Sequence, residues 1–340
     1  MATSTERVGI ALFALGRAGM IHAGNLIANS RAELKYIIEE DTLRAEKYLQ
    51  ERKTHAKVLQ FCEASVALSD PSVKAVLVCT PTPLHEQCVL MALRAGKAVF
   101  CEKPLSRSID GTALCYNEAE KAGLPLFCAF NRRFDPGIRS IIKSVLGGKI
   151  GRVHMIKQTS RDASPPSYEY VKSSGGIFHD SAVHDLDVTL TIAGEAPLTI
   201  HAVGSSFVPH IKKAGDVDSV VITLKFPSGA LAQIDLDRSS PCGYDQRLEV
   251  LGESGMLQNG NKRANEVTVF TSAGNTQSPI LGSFAERYAE SYERELEHFL
   301  DVVLGKAVCE VTRKSVLLAS EVATACQESL VTGRVMTFQN

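Results

Sequence analysis

The 340-residue chain carries 37 Lys and Arg against 38 Asp and Glu, a formal net charge of −1. With 44% apolar and 22% charged residues it has an ordinary globular composition, long enough for two domains. No basic block points to nucleic acid or an anionic membrane surface, and no apolar run approaches the ~18–20 residues of a membrane span.

The run "VGIALFALG" is short and passes directly into a glycine turn, so it reads as a buried parallel strand, Val8 to Leu15, rather than the core of a signal peptide. A helix follows from Gly19 to Asn29, then a strand from Leu34 to Ile38 and a helix from Leu43 to Glu51. "VKAVLVCTP" is the third clear strand, stopped by Pro81 and Pro83, and "HEQCVLMALRAGK" is a helix with Gly96 at its end. "AVFCEKP" and "LPLFCAF" are further strands on either side of the helix "SIDGTALCYNEAEKAG". This alternation predicts a doubly wound parallel sheet, with a first domain over residues 1–127.

After Arg132 the rhythm changes. A helix from Pro136 to Leu146 leads into strands with period-two patterning: "VHMIKQTSR", "TIHAVGSSFV", "SVVITLKF", "ALAQIDLDR", "QRLEVLG" and "EVTVFT". A helix from Gly176 to Ala193 interrupts them, and the chain ends in helices over roughly Phe284–Leu304 and Thr312–Leu330. The second domain, 128–340, is therefore expected to be α+β, with a large, mostly antiparallel open sheet. Its last helices are candidates to pack back on the first domain.

The nine cysteines are scattered and form no C-x-x-C pair, so neither a zinc site nor a redox pair is expected. Several lie inside apolar runs, where a thiol behaves as a small hydrophobe. That usage fits a reducing, cytoplasmic compartment.

Ala14-Leu15-Gly16-Arg17-Ala18-Gly19 follows the first strand and opens a helix. It fits a dinucleotide fingerprint whose first glycine is replaced by Ala14. Gly16, Arg17 and Ala18 would bring backbone amides to a pyrophosphate, and Gly19 would allow close helix–strand packing. Glu39 stands twenty residues after Gly19, where an acid is expected to bond the ribose of NAD. Its carboxylate would repel a 2′-phosphate, which favours NAD over NADP. "CEKPL" places Glu102, Lys103 and Pro104 at the C-terminal end of a strand, where ligands of open α/β sheets bind. Lys103 could face a developing alkoxide.

In "FHDSAVHDLDV" Asp180 and His184 stand four residues apart, on one face if the segment is a helix. The plain alternative is an N-capping Asp180 and a core histidine. Combined with a cofactor site and Lys103, the pair acquires a chemical meaning. His184 would take the proton of a substrate hydroxyl while hydride leaves the same carbon, Lys103 would steady the oxygen, and Asp180 would bond substrate hydroxyls.

These motifs resemble the glucose–fructose oxidoreductase / inositol dehydrogenase family over essentially the whole chain. The resemblance rests on "ALGRAGMIHAGN", "VCTPTPLHEQCVLMALRAGKAVFCEKPL", "FNRRFDP" and "GGIFHDSAVHDLDV". It implies a Rossmann NAD-binding domain and a catalytic set of Lys103, Asp180 and His184. It also implies a segment from Thr80 and Pro81 to His85 lying along the cofactor, with Glu102 beside it. "TSRDASPPSYEYVKSSGGIF", "GYDQRLEVLGESGML" and "FAERYAESYERELEHF" look like inositol 2-dehydrogenases in particular. By that likeness Arg132, Asp162, Tyr244 and Asp245 line a pocket for a small polyol. A homo-oligomer, dimer or tetramer, is expected, with no nucleic acid, membrane or metal partner. Another sugar on the same fold is the alternative enzyme reading, scyllo-inositol, glucose or an amino sugar. A non-catalytic NAD-sensing regulator is the alternative of another class.

Overall fold

A computed structural model describes residues 7–338, so the outermost ends of the two expected domains, 1–6 and 339–340, lie outside it. The chain forms two compact units. One comprises residues up to Asn131 together with Ser291–Leu317; the other comprises Arg132–Glu290 and the residues after Leu317.

The first unit is a six-stranded parallel sheet: β1 (Val8–Phe13), β2 (Ala32–Ile38), β3 (Lys57–Leu59), β4 (Val73–Val78), β5 (Ala98–Glu102) and β6 (Leu126–Ala129). Its order, β3-β2-β1-β4-β5-β6, is that of dinucleotide-binding sheets. Every residue of β1 is buried, which is why that strand is a continuous apolar run rather than an alternating one. The connecting helices are α1 (Arg17–Ala28), α2 (Thr42–Glu51), α3 (Ala64–Ser69), α4 (His85–Arg94) and α5 (Ile109–Ala122). Ser108 caps α5 by accepting from the Gly111 amide, worth about 1 kcal/mol, and Gly123 ends it at φ 64° in the left-handed region.

The second unit begins with α6 (Pro136–Leu146), β7 (Val153–Arg161), α7 (Tyr168–Ser174) and α8 (Val183–Ala193). It continues through β8 (Thr199–Ser205), α9 (Pro209–Lys213), β9 (Ser219–Lys225), β10 (Leu231–Asp237), β11 (Asp245–Gly252) and β12 (Gly255–Asn259). After β13 (Thr268–Thr271), β14 (Gly274–Gln277) and α10 (Phe284–Arg287) the chain returns to the first unit for nearly all of α11 (Ala289–Val303) and the start of α12 (Arg313–Thr332), whose remainder, with β15 (Met336–Thr337), belongs to the second. Its sheet runs β12-β11-β7-β10-β9-β8-β15, and only the β7–β10 pair is parallel. One face is apolar and buried, with Val220, Ile222 and Leu224 of β9 beside Ala232, Ile234 and Leu236 of β10. Alternate residues of the same strands face outward, as the period-two pattern requires.

Three expectations change. The segment "EVTVFT" does not join the large sheet; β13 pairs with β14 in a separate hairpin. Short elements such as β3 and β12 were not expected from the sequence. The expected helix from Gly176 to Ala193 runs unbroken, but it widens to a π-turn over Phe178–Ala182 before α8. Gly175 and Gly176, at φ 94° and 84°, end α7 and turn the chain directly into that wider turn.

Candidate active site

In the first unit the carboxyl ends of β1, β4 and β5 lie side by side, at the point where the strand order reverses. The turn after β1 holds Ala14 at φ 70°, a left-handed conformation usually left to glycine. Gly16 is the N-cap of α1 and offers no side chain to its first amides. A Cβ on Gly16 would meet nothing within 4 Å, whereas one on Gly19 would collide with the Ala14 carbonyl. Open space over Gly16, uncapped amides and tight packing at Gly19 suit a pyrophosphate at this helix start, so the turn fits NAD. Arg17 is exposed and Ala18 half-buried.

Glu39 reaches into the same turn. It accepts from the Leu15 amide at 2.7 Å and the Asp41 amide at 3.1 Å, and it pairs with Arg44 at 2.7 Å. Burial alone would raise its carboxyl, but those amides and the guanidinium hold it below the usual carboxylate range.

His85, the first residue of α4, is buried, with Nδ1 at 2.6 Å from the Pro104 carbonyl and Nε2 at 2.7 Å from the Thr80 carbonyl. Burial pushes this ring's pKa down, against the two carbonyls, which favour a charged ring. Both nitrogens are thus engaged by the protein, tying the end of β4 to the turn after β5. Thr80 is half-buried and Pro81 exposed. Glu102, Lys103 and Pro104 are half-buried at the end of β5, and the Lys103–Pro104 bond is cis. The Glu102 carboxylate is bonded by His22 of α1 at 2.8 Å.

In the second unit Asp180 lies in the π-turn and does not cap the helix. Its two oxygens accept from the Tyr170 hydroxyl and from Arg238, each at 2.8 Å. Asp162 approaches the same guanidinium at 3.7 Å. Burial raises the Asp162 pKa despite Arg238 and Arg132. Arg238 stays firmly protonated against its own burial because Asp180 and Asp162 face it. His184 is half-buried on α8, in the turn after Asp180.

Arg132 is buried and bonded to Asp185 at 2.5 Å, with Ser160 at 3.3 Å. Its guanidinium stands 5.4 Å from the centre of the Tyr288 ring, which meets Tyr244 edge-on at 6.2 Å. Burial works against the Arg132 charge, yet Asp185 holds it protonated. Ser160 donates to Gln246, which also accepts from Tyr288.

The structure therefore gathers Asp162 and Asp180 on one arginine, and Arg132 and Tyr244 around Tyr288. Asp245 does not join them; it turns to Arg247 at 2.8 Å, Asn261 at 2.5 Å and Arg161 at 3.6 Å. Neighbours along a strand point to opposite faces, and Gln246 takes the inner one. Lys103 belongs to the first unit, Asp180 and His184 to the second. Sequence reasoning missed Arg238, Tyr170, Gln246 and Tyr288. A signal for Arg238 was present, an arginine closing the alternating strand "ALAQIDLDR", and in the structure it is buried.

A reversing parallel sheet with an uncapped glycine turn, followed in the chain by a polar-lined α+β unit, fits a dinucleotide-dependent oxidoreductase. Residues 8–130 match the oxidoreductase family with an NAD-binding Rossmann fold, residues 138–258 match the GFO/IDH/MocA C-terminal domain, and the chain belongs to this family. It is an NAD-dependent oxidoreductase of the CH–OH class. The chain is 41% identical over 297 residues to a myo-inositol 2-dehydrogenase of Thermotoga maritima, covering 86% of this chain and 87% of that one. A solved myo-inositol dehydrogenase of Corynebacterium glutamicum superposes with TM-score 0.91 at 31% identity, covering 98% and 99% of the two chains. A scyllo-inositol dehydrogenase of Lactobacillus casei, solved with NAD(H) and scyllo-inositol, gives TM-score 0.89 at 26% identity, covering 97% and 99%. Among the described residues no helix is long and apolar enough to cross a membrane.

Proposed function

We propose that this enzyme oxidises a cyclic polyol, myo-inositol at its 2-hydroxyl, to the keto-inositol. The observation that carries the reading is the pair of carboxylates, Asp162 and Asp180, held by Arg238 and Tyr170. Such a wall presents fixed acceptors to several hydroxyls and disfavours analogues that leave one unmatched. Names of relatives support it: the Thermotoga protein is a myo-inositol 2-dehydrogenase.

NAD, when bound, supplies the hydride acceptor. Gly16, Arg17, Ala18 and Glu39 hold its pyrophosphate and ribose; Thr80, Pro81, His85 and Glu102 shape the ledge beside it. Lys103 stabilises the negative charge that develops on the substrate oxygen. His184 accepts the hydroxyl proton, and Asp180 orients the ring through its hydroxyls. Arg132, Asp162 and Tyr244 complete the polyol pocket.

A scyllo-inositol substrate is the second reading, favoured by the likeness to the Lactobacillus enzyme. We also assign a homo-oligomer built on the large sheet, whose outer face exposes Met155, Val203, Val221, Leu231 and Leu251. Nine free cysteines, most of them buried, suit a cytoplasmic setting.

The test is formation of NADH or NADPH with a panel of cyclitols and hexoses, using NAD and NADP in turn. myo-Inositol with NAD is expected to give the highest kcat/KM. A higher value for scyllo-inositol selects the second reading, and reduction of NAD by no member of the panel overturns both. Analytical ultracentrifugation reads the assembly, and a monomer overturns that assignment.

A further inference from the structure

Helix α11 has the pattern of a packing helix, with Tyr292, Leu296 and Phe299 buried. Glu295 lies on the same face. It is 0% exposed, and neither carboxylate oxygen has a hydrogen-bond partner. None of the roles assigned above uses it. An ionised carboxylate in such a place would bear its full desolvation cost.

Its neighbours are His22 of α1 and Glu102 of β5. One side-chain donor or acceptor atom from each of the three lies within 4.8 Å of the others. His22 contacts Glu102 through Nε2, while its Nδ1 is buried with no partner. The ring is fixed edge-on between Phe100 and Tyr292.

The remaining titratable groups around the pair supply no donor to Glu295. Burial, and then the charge of Glu102, push the Cys79 thiol after β4 upward. Lys103 and His85 act on Glu102. On α11 itself, His298 faces Phe127 and Glu310. Two carboxylates this close, one fully and one half buried, do not both ionise; one keeps its proton.

We propose that Glu295 is a neutral carboxylic acid at working pH, its proton available to Glu102, which keeps one negative charge next to Lys103 in the chain. Burial and the Glu102 charge both push the Glu295 carboxyl upward. Burial would raise Glu102 as well, but the His22 bond and the nearby cations bring it below its ordinary value. Glu295 thereby becomes a positioning residue. It fixes the Glu102 carboxylate, and Glu102 fixes the turn that carries Lys103. The effect on turnover rests on the dehydrogenase reading; the protonation does not.

Infrared spectroscopy of the whole protein at neutral pH tests it, because exposed carboxyl groups are then ionised. The wild type is expected to show a buried carboxylic-acid carbonyl band that shifts on uniform carbon-13 labelling of glutamate and is lost in Glu295→Gln. A band that survives that substitution, or no band at all, overturns the proposal. So does a stoichiometric divalent metal in the purified protein. Should Glu295→Gln fail to fold, the labelled wild-type band alone decides. In turnover, Glu295→Leu keeps the packing but removes the donor. Its kcat is expected to fall about tenfold with the polyol KM unchanged, and Glu295→Gln to recover most of that loss. Wild-type turnover in the Leu variant overturns the positioning role. If the protein oxidises no polyol, the infrared band still reads the proton.

Discussion

The Leu15 amide donates to the Glu39 carboxylate across 2.7 Å, tying the turn after β1 to the acid we propose for the ribose. Arg44 leans on the same carboxylate at 2.7 Å. Glu39→Gln is therefore expected to cost about 1.5–3 kcal/mol in stability, the range for a hydrogen bond to a charged group. The variant also leaves Arg44 available to a 2′-phosphate, so kcat/KM with NADP should rise relative to NAD. Unchanged cofactor preference would remove Glu39 from the ribose.

The same residue gives a pH dependence. Its folded pKa lies below the ordinary glutamate value of 4.5, so its contribution is complete above 4.5 and declines as pH falls through the folded value. The stability gap between wild type and Glu39→Gln should be constant near neutrality and shrink in acid. Denaturant titrations across that range read it; a gap that widens on acidification contradicts the assignment.

Ala14 holds φ 70° without being glycine. Left-handed backbone costs an L-residue about 1–2 kcal/mol, and the extra freedom of an unfolded glycine returns part of it. Ala14→Gly is expected to stabilise the protein by about 1 kcal/mol, read as a melting-point rise of about 1–2 °C.

Arg238 and Asp180 are both buried, so removing one leaves the other charge without a match. Arg238→Met should destabilise by about 3 kcal/mol, and Arg238→Lys by less. A loss under about 1 kcal/mol would mean that the pair is solvated after all.

Lys103→Ala is expected to lower kcat by about a thousandfold while NAD binding stays within about threefold, because the lost charge acts on the transition state. Isothermal titration with NAD separates the two effects. Near-normal turnover would remove Lys103 from the chemistry.

Much of the first unit was legible because parallel strands buried on both faces appear as continuous apolar runs, as in "GIALF" and "VLV". Strand β3 was not, since three residues carry no period. The fingerprint survived the loss of its first glycine because Gly16 and Gly19 kept their spacing. The π-turn was invisible, as "FHDSA" reads alike for either hydrogen-bond pattern. Asp185 could be seen, but its partner Arg132 is 53 positions away, and nothing local announces such a pair. Glu295 left a trace that went unused: a carboxylate in the stripe formed by Tyr292, Leu296 and Phe299.

The nucleotide-binding unit is not contiguous in the chain, because residues 291–317 belong to it. During synthesis, Phe100 and His22 therefore wait for Phe299 and Tyr292 until α11 has left the ribosome. The newborn amino-terminal half holds an aromatic surface open to solvent throughout that interval, so a truncated product ending before α11 would be a substrate for chaperones and proteases rather than a working half-enzyme.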